Sequence, residues 1–124
     1  MLRYGNLFEA VPDELAVEEF AALVEGGGVR IERIVSTGQR SPEGFWYNQD
    51  QDEWVVVLKG HATLEMEGDE AGFEMKPGDW ILIPARHRHR VAATADDKPT
   101  VWLAVHFDEV PCPTSDVRRL TSDV

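Results

Sequence analysis

The spacing of apolar residues changes once along the chain, near residue 28. The stretch before that point reads PDELAVEEFAALVEGGG, and its apolar residues recur at helical spacing: Leu15, Ala16, Phe20, Leu23 and Val24. Asp13 can cap the amino end of a helix, and the three glycines can terminate it. The pattern therefore predicts one α-helix near residues 13–25.

Beyond residue 28 the apolar residues follow a period of two. VRIERIVS and HATLEME alternate, while AGFEM, DWILIP and TVWLAVHF are short runs rich in β-forming residues. Turn-forming stretches such as TGQRSPEG, EGDEAG, KPGD and ADDKP separate these runs. EWVVVLKG is continuously apolar, which is typical of a strand buried on both faces. We therefore predict an all-β sandwich or barrel that carries the single helix.

The length and composition fit one domain. The chain has 124 residues, of which 43% are hydrophobic, enough to bury one core. We divide it into an N-terminal segment with the helix packed on the barrel (1–28), a β-barrel (29–108) and a polar C-terminal extension (109–124).

The net charge narrows the classes of binding partner, and the cysteine content indicates the compartment. A formal net charge of -11 would repel phosphate backbones and anionic lipids, so we expect neither nucleic acid nor membrane as a partner. The lone cysteine, Cys112, cannot form a disulfide within the chain, which fits a reducing compartment. No apolar signal-peptide core occurs at the N-terminus, and we expect a cytoplasmic protein.

Two stretches of the sequence resemble the two motifs of the cupin superfamily. Glu53, six residues and Gly60 match the second half of the first motif, and Gly78, Pro84 and His89 fall in the register of the second. Together with the strand pattern, the resemblance extends over about residues 29–108. It implies a cupin-like jelly-roll β-barrel with a pocket between its sheets, commonly assembled as a homodimer.

The first motif departs from the family pattern where a His-x-His pair is usual. Those positions hold Tyr47 and Gln49, or Trp46 and Asn48 at the longer spacing. In the second motif Arg86 replaces a glycine and Ala93 replaces the closing asparagine. Metal-binding cupins hold one divalent ion with three histidines and a glutamate. This chain keeps the glutamate and one histidine of that set.

The retained pair, Glu53 and His89, supports a hypothesis of metal binding. A carboxylate and a neutral imidazole suit Zn, Fe, Mn or Ni, and two such ligands must lie within about 5 Å of each other to reach one ion. Gln49 is the preferred third ligand because it occupies a matching ligand position. Further candidates are Asp50, Asp52, His87 and His106. The alternative is that Glu53 pairs with an arginine and His89 is a hydrogen-bonded pocket residue.

Other residues are candidates for binding or catalysis in the same pocket. Tyr47 and His106 are candidate catalytic residues, while Trp46 and Trp102 are candidates for the ligand-binding wall. Arg33 lies on the more apolar face of VRIERIVS. If that face is interior, Arg33 needs an anionic partner such as a ligand carboxylate. If the strand twists, Arg33 reaches solvent instead.

Three functions stay open from the sequence. The first is a small-molecule enzyme of the oxygenase, isomerase or lyase type that uses one divalent metal. The second is a metal-free module that binds a small ligand in the same pocket. The third is a barrel that assembles with a partner protein. The cupin resemblance implies the fold but leaves the reaction undetermined, because function depends on the site.

Overall fold

The computed structural model describes residues 1–108, except for the side chain of Glu70. Eight β-strands make up the regular structure of these residues: β1 (Glu19–Gly26), β2 (Val29–Ser36), β3 (Asp52–Lys59), β4 (Ala62–Met66), β5 (Asp69–Met75), β6 (Trp80–Ile83), β7 (His89–Thr94) and β8 (Thr100–Phe107). The predicted C-terminal extension, 109–124, and its Cys112 lie outside the described residues.

The strands form two antiparallel sheets. One has five strands in the order β1-β2-β8-β3-β6, and the other has three in the order β5-β4-β7. Inward-facing residues of both sheets make one core: Ile34, Val55, Val57, Ala62, Leu64, Met66, Met75, Ile83, Val91, Trp102 and Ala104. The all-β, cupin-like jelly-roll prediction is confirmed.

The predicted N-terminal helix is wrong, since residues 1–108 contain no helix. The stretch assigned to it ends in β1, which pairs antiparallel with β2 from Glu19 opposite Val35 to Gly26 opposite Val29. Gly27 and Gly28 connect the two strands with φ of 59° and 79°. Positive φ at both central residues is what a tight hairpin turn requires, so the glycines form a turn rather than a helix end.

A β-bulge explains why the period of two was hidden in β1. The register shifts between Ala22 and Val24, so Leu23 is an extra residue opposite β2. The bulge places Phe20, Leu23 and Val24 at a spacing that also fits a helix. Backbone pairing with β2 in this hairpin stabilises the strand, and this contact between two segments overrides the helical pattern within one of them.

The residues before β1 pack on the outer face of β2. Arg33 donates hydrogen bonds to the backbone carbonyls of Leu7, at 3.3 Å, and Glu9, at 2.6 Å. It also forms an ion pair with Glu19 at 3.2 Å. Val35, on the same face as Arg33, is completely buried. The apolar face of β2 is therefore covered by the N-terminal segment and does not face the barrel interior.

The connection between β2 and β3 crosses to the smaller sheet and runs beside β7. Tyr47 and His89 exchange two backbone hydrogen bonds, of 2.7 and 3.2 Å. Nearer β2, the Ser41 amide donates to the Val91 carbonyl at 2.8 Å. These bonds bring Tyr47 to the side of the barrel where β7 begins.

No helix with the length and apolar character of a membrane span occurs in the part of the chain that the structure describes.

Candidate functional site

A pocket of about 470 Å³, including its open mouth, lies between the two sheets. Its apolar walls come from Phe20, Ile34, Val55, Leu64, Ile83, Val91 and Trp102. Its polar lining comes from Glu18, Glu32, Tyr47, Gln49, Glu53, His89 and His106. The pocket therefore combines an apolar body with a few convergent ionisable groups, as small-molecule sites commonly do.

Glu53 and His89 meet inside this pocket. Glu53 is the second residue of β3 and His89 is the first of β7, so the two sheets present them toward each other. The Oε1 atom of Glu53 lies 3.5 Å from Nε2 of His89. Only 7% of Glu53 and 5% of His89 is exposed, which places the pair away from bulk water. Their predicted proximity is confirmed, while a role as metal ligands stays a prediction.

The His89 ring is oriented by its second nitrogen. Nδ1 lies 2.9 Å from the His87 carbonyl oxygen, which can only accept, so Nδ1 carries a proton and Nε2 faces Glu53. Burial lowers the pKa of His89, but hydrogen bonds to Glu53 and the His87 carbonyl, with the Glu53 charge, outweigh burial and leave the pKa raised. Tyr47 stacks on the ring, with centroids 5.4 Å apart.

A second carboxylate–imidazole pair lies next to the first. Nε2 of His106, on β8, is 3.0 Å from Oε1 of Glu32, on β2. The hydrogen bond from His106 lowers the pKa of Glu32 against the opposing effect of burial, and Arg30 contributes a smaller lowering. The same His106 nitrogen is 4.0 Å from Oε2 of Glu53. Glu53 thus has a histidine on each side.

Glu18 and Tyr47 complete the polar lining. Burial raises the pKa of Glu18, and a hydrogen bond from the Ser36 hydroxyl partly opposes that rise. Burial also raises the pKa of Tyr47, as do the nearby carboxylates of Glu18, Glu53 and Glu32. The Tyr47 hydroxyl is therefore protonated at neutral pH and can donate a hydrogen bond to a ligand.

The remaining candidates divide between the pocket and the surface. Gln49 and Trp102 line the pocket, and the indole nitrogen of Trp102 donates to the Ser36 hydroxyl at 3.1 Å. Arg33 is outside, on the covered face of β2, and does not reach a pocket ligand. Trp46 contacts the Arg90 guanidinium, 6.0 Å from its ring centroid, and does not line the pocket. The exposed side chain of His87 is also absent from the lining.

Two lining carboxylates, Glu18 and Glu32, were missed from the sequence. Glu32 was not a candidate, because the other face of VRIERIVS, with Ile31 and Arg33, is more apolar. The inward face carries Glu32 and Ile34. The available signal for Glu32 was its position as a polar residue in a strand whose other face is covered by the segment before it. Glu18 was hidden by its assignment to a helix.

The site was tested for its fit to a divalent metal. Among residues 1–108, no group of three or more His, Cys, Asp or Glu side chains could hold a metal ion. Glu53 and His89 converge, but the Nε2 atom of His106 is engaged by Glu32 at 3.0 Å, and the Gln49 amide is a weak ligand. Since two strong ligands are too few for tight binding, these residues do not fit a tightly held metal.

An antiparallel barrel of two sheets with its ionisable groups gathered in an interior pocket defines a jelly-roll protein. The family model described as "Cupin domain" matches residues 32–106. The chain belongs to the cupin family. Among curated proteins, none matches the chain significantly.

Solved structures agree with this family. A putative mannose-6-phosphate isomerase from Ralstonia eutropha JMP134 is 55% identical, with a TM-score of 0.85 over 87% of this chain and 100% of that one. A cupin superfamily protein from Desulfitobacterium hafniense DCB-2 is 17% identical, with a TM-score of 0.66 over 80% of this chain and 84% of that one. An RmlC-like cupin from Desulfovibrio desulfuricans is 21% identical, with a TM-score of 0.66 over 86% and 97%. The last two show the fold alone.

Proposed function

We propose that this cupin is a small-molecule enzyme of the isomerase type that transfers protons in the barrel pocket without a resident metal. The observation that carries the proposal is the arrangement of Glu53 between two imidazoles, 3.5 Å from His89 and 4.0 Å from His106. Buried carboxylate–imidazole pairs in a pocket are suited to general acid–base catalysis. The Ralstonia protein's name as an isomerase is compatible with this class.

In the proposed reaction Glu53 is the base. Its carboxylate takes a proton from the carbon next to a substrate carbonyl, and the C–H electron pair moves to form an enediol. The carbonyl oxygen receives its proton from Nε2 of His89, whose raised pKa favours the protonated form of the ring. Glu53 then returns its proton to the neighbouring carbon, and His89 recovers a proton from the other hydroxyl. Tyr47 is the alternative proton donor.

The Glu32–His106 pair has a positioning role. Because Nε2 of His106 donates to Glu32 at 3.0 Å, the imidazole is fixed beside Glu53. Replacing His106 with glutamine keeps a donor to Glu32 and alters the surroundings of Glu53. We expect this variant to change the pH profile of turnover more than substrate affinity.

The test is proton exchange observed by NMR in D₂O. Mannose, fructose and their 6-phosphates are supplied separately, and deuterium incorporation at C2 or C1 and interconversion are followed. We expect Glu53→Gln to lower the exchange rate at least about 100-fold, the usual contribution of a general base. Glu67→Gln is the matched control, because Glu67 forms an exposed ion pair with Arg88 at 3.2 Å. Full activity of Glu53→Gln would refute the assignment.

Metal binding at Glu53 and His89 is the second candidate. It is favoured by the His89 Nδ1–H bond to the His87 carbonyl, because metal-ligating histidines are commonly oriented this way. Elemental analysis of untagged protein purified without chelator, and calorimetry with Zn²⁺, Mn²⁺, Fe²⁺ and Ni²⁺, test it. Stoichiometric metal that Glu53→Gln abolishes would establish this candidate and end the metal-independent one. If neither metal nor turnover is found, the pocket serves ligand binding or the barrel serves assembly.

We also propose that the chain forms a homodimer. β1 is an edge strand of the five-stranded sheet, and it exposes Phe20 and Val24. The N-terminal residues Leu2 and Tyr4 are almost fully exposed as well. Pairing between two copies would cover this edge and its apolar side chains. Sedimentation equilibrium at micromolar concentrations tests the proposal, and a single 13.9 kDa species would refute it.

A further inference from the structure

Apart from its two histidines, the ionisable residues of the pocket lining are carboxylates and a tyrosine. Three carboxylates, from Glu18, Glu32 and Glu53, contribute to it, and no lysine or arginine does among the residues that the structure describes. Anion sites in proteins are usually built from arginine, lysine or the amides of a helix amino end. The described lining has no arginine or lysine, and residues 1–108 contain no helix.

A neighbouring cation, Arg30, is paired with a lining carboxylate. Its Nε atom lies 3.5 Å from Oε2 of Glu32, the oxygen that is not paired with His106, and Arg30 does not line the pocket. Its charge is therefore directed at a carboxylate of the protein. The Nε2 atoms of His89 and His106 are likewise directed at Glu53 and Glu32. A phosphate entering the pocket would meet carboxylates without a free basic side chain.

We infer that the ligand of this pocket is a small organic cation, an ammonium group carried on an apolar or polyhydroxylated body, and that phosphorylated compounds are excluded. The inference rests on the proposed function for the identity of the site, but it concerns binding and not turnover. Charge complementarity favours a cation beside Glu18 and Glu53, whose carboxylates are held in a mostly apolar surrounding. The pocket thereby differs from one suited to a sugar phosphate.

The aromatic lining supports the same ligand class. Phe20, Tyr47 and Trp102 all line the pocket. A cation within about 6 Å of an aromatic ring is attracted by the ring face. Phe20 is half exposed, at 51%, and Glu18 lies two residues before it in the chain. One aromatic side chain and one carboxylate of the same segment therefore line the pocket wall. This pairing recognises an ammonium group better than a neutral hydroxyl.

The inference is tested with three probes that share one body and differ in charge: benzylammonium, benzyl alcohol and benzyl phosphate. Binding to the full-length protein is followed by the NMR shifts of the His89 and His106 ring protons, which report the pocket directly. We expect benzylammonium to bind at least about tenfold more tightly than benzyl alcohol, a difference of about 1.4 kcal/mol. Benzyl phosphate should leave both rings unshifted.

Glu18→Gln identifies the contribution of the Glu18 carboxylate to ligand binding. It should weaken benzylammonium about tenfold and leave benzyl alcohol unchanged, because the shape is kept and the charge is lost. Because burial raises the pKa of Glu18, removing the charge should not destabilise the fold. Glu67→Gln is the control and should alter neither affinity. Equal affinity for all three probes, tighter binding of the phosphate, or no ring shift with millimolar benzylammonium would overturn the inference.

Binding and turnover are separated by these measurements. If benzylammonium binds as expected and mannose, fructose and their 6-phosphates do not exchange deuterium, the ligand class stands and isomerase activity on these sugars fails. If mannose 6-phosphate is turned over and benzyl phosphate binds, the ligand class fails while the proton-transfer function stands.

Discussion

Replacing Gly60 with alanine should destabilise the barrel strongly. Gly60 connects β3 to β4 with φ of +85°, a conformation that costs an L-residue about 1–2 kcal/mol. A Cβ there would lie 2.5 Å from Oγ1 and 2.7 Å from Cα of Thr100, and 2.8 Å from the Pro99 carbonyl oxygen. Thr100 is completely buried and paired with Ser36 in the sheet, so its backbone cannot move aside freely. Overpacking of this kind adds about 1–3 kcal/mol.

Gly68 provides the matched control. It lies in the β4–β5 turn with φ of +86°, and a Cβ would meet no heavy atom within 4 Å. Gly68→Ala should therefore show the conformational cost without the steric cost, while the unfolded-state effect of removing a glycine cancels between the variants. Urea unfolding followed by tryptophan fluorescence should place Gly60→Ala about 1–3 kcal/mol below Gly68→Ala. A 2 kcal/mol difference corresponds to roughly 8 °C in Tm for 124 residues. Equal destabilisation would refute the close-approach argument.

Three further outcomes are expected. Arg86 has φ of 63°, so Arg86→Gly should raise the unfolding free energy by about 0.5–1 kcal/mol in urea titrations, and a loss of stability would contradict the strain. The raised pKa of His89 contributes stability that is complete below about pH 6.5 and is lost as pH rises through the folded value. Unfolding free energy measured against pH should show this fall, and Glu53→Gln should flatten it. The lowered pKa of Glu32 contributes stability above about pH 4.5 that is lost as pH falls through the folded value, so His106→Leu should weaken that acid dependence, and an unchanged profile would count against the pair.

The features that the sequence predicted are those with short-range causes. Strand alternation and turn chemistry depend on neighbouring residues, and they predicted β2, β3, β4, β5, β6 and β8. The resemblance of Glu53–Gly60 and Gly78–His89 to the two cupin motifs implied that the retained pair lies at one point of the barrel, where the structure places it. The strands and the motif residues can be predicted because they depend on residue type and local spacing, which the sequence contains.

The features that could not be predicted from the sequence depend on contacts between separate segments of the chain. β1 is a strand because β2 offers backbone partners, and its bulge at Leu23 gave the apolar residues a helical spacing. The sequence left open which face of β2 is interior, and the structure decides it because the N-terminal segment covers Val35 and binds Arg33. The apolar face of a strand need not be the interior face when another segment covers it. The more apolar face therefore put Arg33 among the candidates, while Glu32, on the other face, was not considered.

The residues at the usual metal-ligand positions of this pocket are hydrogen-bonding groups. At the positions where metal-binding cupins commonly have a histidine pair, this chain has Tyr47 and Gln49, and both line the pocket. A phenol with a raised pKa and a neutral amide are donors of hydrogen bonds, whereas the replaced imidazoles would donate lone pairs to an ion. His106 adds an imidazole from β8, but Glu32 engages its Nε2 atom. Tyr47, Gln49 and the Glu32–His106 pair therefore differ from the usual set of metal ligands in the same direction, and they support the proposed metal-independent function.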